Sequence, residues 1–361
     1  MRSVIKKENM EELAEYQRYL YSHPSLRFLF FELTNQCNLN CLHCGSECTV
    51  KNSTFLKIEA IEKTLKAVSE KTDPSNIMVC LTGGEPFLHP DLFRIISMAH
   101  TMGFHIGITS NGTLIDRRKA LALTTAGLDT ITISIDGVGS IHDEFRGLRG
   151  SFDKAIEGIH VLKEAGFQPE VLTVVHRKNL PELEELYRFV CGEGIFFWRL
   201  TNIDPIGRAG INKELLLSGA ELQKLYEFIK EKRLQSDSEI EVTYGCAHFL
   251  GIDYENEVRD FYFQCGAGLF IASIMANGDI GACLDIERRR DLIQGNIFKD
   301  DFVDVWENRF AVFRKDRTIE SQACIGCLHR EICMGDSAHT WDFNKNEPKY
   351  CVTRMMYGTG Q

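Results

Sequence analysis

Three cysteines follow the apolar run 28–31 at a spacing that suits an iron–sulfur cluster: Cys37, Cys41 and Cys44 read C-x3-C-x2-C. The run predicts the first strand of an α/β domain, which places the cysteines on the loop after that strand. Three thiolates on one tight loop can ligate three irons of a 4Fe–4S cube and leave the fourth iron open to a small molecule. An open iron is suited to chemistry rather than to electron storage.

The composition indicates a folded, enzyme-sized protein. A chain of 361 residues exceeds the usual size of one core and predicts two domains, and an apolar content of 44% excludes a disordered or fibrous protein. The net charge of −10 argues against wholesale binding to nucleic acid or to an anionic membrane. We find no signal peptide or membrane span in the sequence, so the predicted location is cytoplasmic, where clustered cysteines indicate metal or redox chemistry.

Strand and helix patterns alternate from residue 27 to about residue 234. The predicted strands are 27–34, 77–82, 105–109, 130–135, 170–175 and 196–202. Amphipathic helices are predicted between them at 58–70, 91–102, 152–165 and 180–190. Six βα pairs with right-handed crossovers predict an α/β fold, a partial (β/α)6 TIM-type barrel whose functional loops lie at the carboxyl ends of the strands.

Three segments are predicted along the chain. Residues 1–26 form a helical lead-in, residues 27–238 form the partial barrel, and residues 239–361 form a small α+β domain. The alternation ends in the last segment, which is rich in cysteine. Its cysteines are Cys246, Cys265, Cys283, Cys324, Cys327, Cys333 and Cys351.

Two further motifs end the next two predicted strands. The second strand runs into the segment 82–86, Thr-Gly-Gly-Glu-Pro, where paired glycines permit close backbone approach and a glutamate presents a carboxylate. The third strand ends in Ser-Asn-Gly at 110–112. With the cysteine loop, this layout resembles the radical S-adenosylmethionine (radical SAM) family. The resemblance implies that Cys37, Cys41 and Cys44 hold a 4Fe–4S cluster whose open iron binds S-adenosylmethionine, and that a 5′-deoxyadenosyl radical takes a hydrogen atom from the substrate.

The resemblance also implies contacts to S-adenosylmethionine. It places 83–86 at the methionine amino group, 110–111 near the ribose and His43 against the adenine, and the run around Ser134 resembles the peptide-modifying branch of the family. The implied contact residues are His43, Gly83, Gly84, Glu85, Pro86, Ser110, Asn111, Ser134 and Arg146. The alternatives are ordinary turns at the glycine and serine motifs and a surface ion pair at Arg146.

The C-terminal cysteines resemble a SPASM domain, which binds auxiliary iron–sulfur clusters. The resemblance implies that Cys324, Cys327, Cys333 and Cys351 hold one complete cluster, although such a quartet also suits zinc. A further auxiliary cluster would use Cys246, Cys265 and Cys283. Its fourth ligand is left open, because Ser337 stands where the family usually has cysteine. Ser337 or Asp336 would then supply an oxygen, or the iron would stay open, or a smaller cluster would form.

The catalytic residues are not identified from the sequence. Asp285 and Cys48 are the candidates: Asp285 lies one place beyond the position where sulfatase-maturing members carry an aspartate, and Cys48 lies four residues past Cys44. A structural, capping or surface role is the alternative for Asp285, and Cys48 would face the active site and donate a hydrogen atom.

The predicted function is the modification of a residue in a ribosomally synthesised peptide or protein, by cross-linking, epimerisation or oxidation. The expected partners are that substrate and a low-potential electron donor of the flavodoxin or ferredoxin type, with no nucleic acid and no membrane. One alternative is the same radical chemistry on a small molecule, such as a tetrapyrrole or a cofactor precursor. Another is a non-catalytic iron–sulfur electron carrier. The motifs do not define the substrate residue or the bond formed.

Overall fold

The structure is a computed structural model that describes residues 2–235, 240–245 and 248–358. Within these ranges, ten strands form one sheet and two short strands form a separate ribbon. Strands β1 to β6 are Phe28–Glu32, Met78–Thr82, His105–Ser110, Thr130–Ser134, Glu170–Val175 and Phe197–Asn202. Strands β7 to β12 are Glu241–Tyr244, Ile271–Ile274, Asp279–Gly281, Gly295–Asn296, Trp341–Asp342 and Glu347–Pro348.

The large sheet has the order β10-β9-β8-β1-β2-β3-β4-β5-β6-β7. The neighbours from β8 through β1 to β7 are parallel, whereas β8, β9 and β10 pair antiparallel. Parallel neighbours need a crossover connection, so the carboxyl ends of β1 to β7 lie at one edge. This arrangement confirms the predicted α/β fold with a partial barrel.

Apolar side chains at alternate positions hold the strands in register. Leu29 pairs with Val79, and Val79 pairs with Ile106, so these three form one buried layer across β1, β2 and β3. Burying each such side chain contributes about 2 kcal/mol. The register therefore fixes which residues emerge at the carboxyl edge of the sheet.

The described residues also form twelve α-helices. Helices α1 to α6 are Arg2–Ser22, Ile58–Lys71, Leu92–Thr101, Arg117–Ala126, Ser140–Arg146 and Ser151–Glu164. Helices α7 to α12 are Leu183–Gly192, Arg208–Ile211, Gly219–Leu234, Phe302–Asn308, Arg330–Cys333 and Val352–Tyr357. Helix α2 shows the packing: Ile61, Leu65 and Val68 recur on one face and are buried. Among the described helices, none has the length and apolarity needed to cross a membrane.

The six predicted strands and the four predicted helices are present, with small differences at their ends. The sheet also extends further than the sequence predicted, since β7 pairs with β6 and β8 pairs with the free side of β1. Leu29, Ile274 and Phe310 belong to one continuous apolar core. The division into segments 1–26, 27–238 and 239–361 stays a prediction.

Candidate active site

The cysteine loop leaves the carboxyl end of β1 and is held closed by its own backbone. Gln36 forms a bridge with Thr49, and the Cys37 N–H donates to Thr49 O over 3.1 Å. Cys37 and Cys41 are each 8% exposed, and Cys44 packs against them. The three thiols predicted to bind the cluster therefore lie together.

N–H groups point at the sulfur atoms of this loop. Leu39 N lies 3.4 Å from Cys37 Sγ, Asn111 Nδ2 lies 3.9 Å from the same atom, and Arg146 Nη1 lies 3.8 Å from Cys41 Sγ. Hydrogen bonds to the ligating sulfurs tune iron–sulfur clusters. Burial raises the pKa of Cys37 to about 12, so its thiolate needs a nearby positive charge such as iron. The loop therefore fits a cluster.

Cys48 is buried against the third cysteine. A hydrogen bond from the Cys48 thiol lowers the pKa of Cys44 to about 6, and the same interaction together with burial raises the pKa of Cys48. The structure thus places Cys48 beside the cluster loop. A role for it as a hydrogen-atom donor stays a prediction.

The paired glycines after β2 pack against the backbone of the cysteine loop. A Cβ added to Gly84 would lie 2.0 Å from Gln36 O, and one added to Gly83 would lie 2.5 Å from Thr34 O. The Gly84 N–H donates to Thr34 O over 2.6 Å, and the Glu85 N–H donates to Gln36 O over 2.9 Å. The glycines are needed for this close contact between two loops. Their contact with the methionine amino group stays a prediction.

Glu85 is fully buried and joins the exits of β2 and β3. Its Oε1 accepts from Ser110 Oγ over 2.9 Å and from Phe87 N over 3.1 Å, and its Oε2 accepts from Asn111 N over 2.9 Å. Burial raises the pKa of Glu85 despite these bonds. Pro86 starts the 3₁₀ turn that follows. Glu85, Ser110 and Asn111, which are all predicted to contact the cofactor, are thus linked by hydrogen bonds.

A buried ion pair supports the loop from the β4 side. Arg146 Nε donates to Asp136 Oδ2 over 2.5 Å, and Asp136 Oδ1 accepts from Val174 N over 2.8 Å. Arg146 is 7% exposed, so the alternative of a surface ion pair is wrong. Ser134, the last residue of β4, is also buried. Contacts of Ser134 and Arg146 with the cofactor stay predictions.

His43 forms one end of a stack of rings. Its ring lies 4.4 Å from that of Phe145 at an interplanar angle of 5°, and Phe145 lies 3.9 Å from His176. Burial lowers the pKa of His43 to about 3, so the imidazole is neutral at pH 7. Phe145 covers one face of the ring. The predicted adenine contact would therefore use the other face.

Arg208 was missed from the sequence, although it holds the loop from the β6 side. Its Nε donates to Cys41 O over 2.7 Å, and its Nη1 donates to Cys48 O over 3.1 Å. A charged residue soon after a strand end was the available signal. Asp285 is exposed, and a Cβ built on Gly45 would lie 3.8 Å from its Oδ1. This candidate therefore lies next to the loop, and its catalytic role stays a prediction.

The four cysteines predicted to hold the complete auxiliary cluster lie in two neighbouring pairs. The Cys327 N–H donates to Cys324 O over 3.3 Å, and burial raises the pKa of Cys333 and Cys351, which also repel each other's charge. Burial raises the pKa of Cys324 and of Cys351, and the positive charge of Arg354 opposes that shift at both thiols. Ligation of one cluster by all four stays a prediction.

The other auxiliary site is described in part. Cys265 Sγ accepts from the Ala338 N–H over 3.4 Å, and Cys283 is half-buried. Cys246 lies outside the described residues, so the structure does not test its predicted ligation. Ser337, next to Ala338, is 2% exposed.

Asp336 has other partners. Its Oδ2 lies 3.2 Å from His248 Nδ1, and its Oδ1 accepts from Phe249 N over 2.9 Å. Asp336 is therefore already engaged by two partners, whereas no side-chain hydrogen bond of Ser337 is found among the described residues.

Known proteins are similar to both parts of the chain. The Radical SAM superfamily matches residues 31–190, and the SPASM iron–sulfur cluster-binding domain matches residues 265–328. The chain is 29% identical over 350 residues to the AdoMet-dependent heme synthase of Methanosarcina barkeri, which covers 91% of this chain and 97% of that protein. It is 29% identical over 317 residues to the mycofactocin maturase MftC of Mycolicibacterium smegmatis, covering 85% of this chain and 76% of that protein.

Solved structures share the fold. Streptococcus suis SuiB bound to S-adenosylmethionine superposes with a TM-score of 0.71 at 20% identity, covering 86% of this chain and 73% of that chain. The enzyme anSMEcpe with bound AdoMet and the Cp18Cys peptide superposes with a TM-score of 0.69 at 19% identity, covering 88% of this chain and 90% of that chain.

The chain therefore contains a radical SAM domain over residues 31–190 and a C-terminal SPASM domain over residues 265–328. Its cofactors are S-adenosylmethionine, the 4Fe–4S cluster of the radical site and auxiliary iron–sulfur clusters. The predicted family, fold and cofactors are confirmed. The assignment of each ligand and contact to a particular residue stays a prediction.

Proposed function

We propose that this enzyme abstracts a hydrogen atom from a tetrapyrrole, and so acts on a small molecule. The observation that carries the proposal is the similarity to AdoMet-dependent heme synthases, which extends over nearly the whole of both chains. Heme synthases of Oleidesulfovibrio alaskensis and Nitratidesulfovibrio vulgaris and the pre-heme d1 synthase of Dinoroseobacter shibae are also similar. The sequence alone predicted a peptide first and a tetrapyrrole as the alternative. These relatives favour the alternative.

When bound, the cluster and S-adenosylmethionine supply a 5′-deoxyadenosyl radical that takes a hydrogen atom from an unreactive carbon. The residues of this chain hold and orient the reactants. Gly84 brings the β2 exit against the cysteine loop, and Glu85 ties Ser110 and Asn111 to it. The neutral His43 adds no charge to the site. Because these loops are buried and held by hydrogen bonds, they position the reactants so that the radical reaches only one hydrogen atom of the substrate.

A peptide substrate is the second candidate. The similarity to mycofactocin maturase supports it, since that relative also covers most of this chain. The modification would then be a cross-link, an epimerisation or an oxidation, as the sequence predicted. A low-potential donor of the flavodoxin or ferredoxin type would supply the electron in either case.

The two substrates can be separated in one experiment. A Fe-coproporphyrin III synthase of Methanosarcina barkeri is also similar to this chain, at 29% identity over 167 residues, so Fe-coproporphyrin III is the tetrapyrrole probe. Reconstituted enzyme, dithionite and S-adenosylmethionine are incubated without oxygen, with this porphyrin or with each peptide encoded beside the gene. We expect the porphyrin to increase the release of 5′-deoxyadenosine and to change in mass, while the peptides do neither. A mass change in a peptide alone would support the second candidate. Basal 5′-deoxyadenosine with no stimulation by the porphyrin would overturn the tetrapyrrole proposal and leave the radical assignment standing.

A further inference from the structure

A cluster of two histidines and an aspartate lies where the barrel meets the C-terminal segment, next to the incomplete auxiliary site, since Ala338, which precedes His339, donates to Cys265 Sγ. Asp204 follows β6 at the carboxyl edge of the sheet, His248 follows β7, and His339 lies in the 3₁₀ turn 338–340. His248 Nε2 is 2.8 Å from Asp204 Oδ1, and His339 Nε2 is 3.0 Å from Asp204 Oδ2. The ligand atoms of all three residues lie within 4.8 Å of one another.

The free ring nitrogen of His248 is held by a second carboxylate. Nδ1 lies 3.2 Å from Asp336 Oδ2, and Asp336 is itself fixed by a hydrogen bond from Phe249 N. A carboxylate on the second nitrogen orients a metal-binding histidine and increases its basicity. His248 is fully buried, so Nε2 faces the cluster and not solvent.

A tyrosine hydroxyl adds an independent observation. Tyr350 is 7% exposed, and its ring lies 5.6 Å from that of His248. Its OH has no hydrogen-bond partner within the part of the chain that the structure describes. The ring contact with His248 places Tyr350 next to the cluster. A buried hydroxyl without a partner is costly unless a water or a ligand satisfies it.

We propose that Asp204, His248 and His339 bind a divalent metal ion such as Zn²⁺, in a site separate from the iron–sulfur clusters. Two imidazoles and a carboxylate are the ligand set of many zinc sites that keep one position open. A tetrahedral ion with bonds of about 2.0–2.1 Å needs ligand atoms about 3.3 Å apart. The two imidazoles contact different oxygens of Asp204, at 2.8 and 3.0 Å, and one ligand atom from each of the three residues already lies within 4.8 Å of the others, so modest side-chain shifts bring them to that spacing.

A neighbouring side chain fixes the carboxylate of the cluster. Asn202 Nδ2, which lies 2.9 Å from Asp204 Oδ1, helps to hold the carboxylate in place. The ion would link the end of β6 to the segment that carries the auxiliary cysteines.

The competing interpretation is a metal-free chain of hydrogen bonds, with His248 protonated between two carboxylates. The two interpretations differ in zinc content and in the atoms that surround the zinc. Cluster-loaded enzyme is used for the test, so that the cysteines are already occupied by iron. The enzyme is equilibrated with Zn²⁺ and desalted, and zinc and iron are then measured by mass spectrometry.

Wild type and the control His160→Ala should each retain about one zinc per chain. His160 is a suitable control because it is half-exposed on α6 and paired with Glu193. His339→Ala and Asp204→Asn should lose most of this zinc while they keep their iron. Should Asp204→Asn fail to fold, His339→Ala and the milder His339→Gln still give the result.

X-ray absorption at the zinc edge measures which atoms surround the zinc, and wild type alone is sufficient for this test. Nitrogen and oxygen ligands at about 2.0–2.1 Å would support the site, whereas a sulfur shell at about 2.3 Å would show binding to cysteine. A sulfur shell, equal zinc in wild type and His339→Ala, or no retained zinc in wild type would each overturn the proposal. The result does not depend on the substrate of the enzyme.

Discussion

At the scale of single residues, the cysteine loop and the loop after β2 can lie in contact because Gly84 has no side chain. Gly84 brings the backbone after β2 into direct contact with Gln36, which immediately precedes the first cysteine. Glu85 then reaches Ser110 and Asn111, so the cysteine loop is held against the exits of two strands. A change at Gly84 should therefore disturb the radical site before it disturbs the rest of the fold.

Gly84→Ala tests this directly. The new Cβ would lie 2.0 Å from Gln36 O and 2.4 Å from Gln36 C, so the cysteine loop must move away. We expect the iron content after reconstitution to fall by about four atoms per chain, the content of one cube. Gly192→Ala is the control, because a Cβ there meets nothing within 4 Å. Full iron loading of Gly84→Ala would contradict the account.

Some of the site residues could be predicted because they are contiguous in sequence. The cysteine spacing and the Gly-Gly-Glu run are recognisable as motifs in the sequence alone. Asp204, His248 and His339 did not, because they come from three distant segments and each alone looks like an ordinary loop residue. Arg208, a charged residue soon after a strand end, was missed because its partners are backbone carbonyls, which every residue type supplies.

At the scale of elements, the start of α6 depends on a carboxylate from the preceding helix. Asp143 of α5 accepts from Phe152 N over 2.8 Å and from Ser151 Oγ over 2.9 Å, and also from Gly150 N. The first N–H groups of a helix lack partners within the helix, so an anion there is stabilising. Burial raises the pKa of Asp143, but these bonds outweigh it and the pKa lies below its ordinary value.

The lowered pKa predicts how stability changes with pH. The carboxylate contributes stability above its unfolded pKa of about 3.9, and this is lost as the pH falls through the folded value. Asp143→Asn should therefore be less stable than wild type by about 1 kcal/mol at pH 7. Thermal unfolding of both proteins between pH 7 and pH 3 should show the difference shrinking toward the acid end. A difference independent of pH would contradict this role.

The extension of the sheet was harder to predict than its centre. The strands β1 to β6 could be predicted because each is a β-rich apolar run and helical patterns lie between them. In contrast, β7 has four residues, and β8 comes from the cysteine-rich segment yet pairs with β1. Strands so far apart in sequence pair because the free edge of β1 becomes available once the rest of the sheet has formed. A local sequence pattern contains no information about that edge.

At the scale of the whole molecule, the radical SAM and SPASM parts share one sheet and one apolar core. Ile274 of β8 is fully buried and pairs with Phe31 of β1. A buried contact of this kind predicts that the two parts unfold as one cooperative structure.

Ile274→Ala should therefore lower the midpoint of a single unfolding transition. The cavity should cost about 3 kcal/mol, and the whole calorimetric peak should move. Leu121→Ala is the control, because Leu121 is 54% exposed and its loss should change stability by less than about 0.5 kcal/mol. Two peaks, of which the variant moves one, would show that the parts unfold independently.

The most direct test of the central claim is the release of 5′-deoxyadenosine from S-adenosylmethionine by reconstituted, dithionite-reduced enzyme. Wild type is compared with a variant in which Cys37, Cys41 and Cys44 are all alanine, and with Cys191→Ala, which removes an exposed cysteine. We predict release by wild type and by Cys191→Ala, and none by the triple variant, which should still hold its auxiliary iron. Iron-loaded wild type that releases no 5′-deoxyadenosine would contradict the assignment of a radical enzyme.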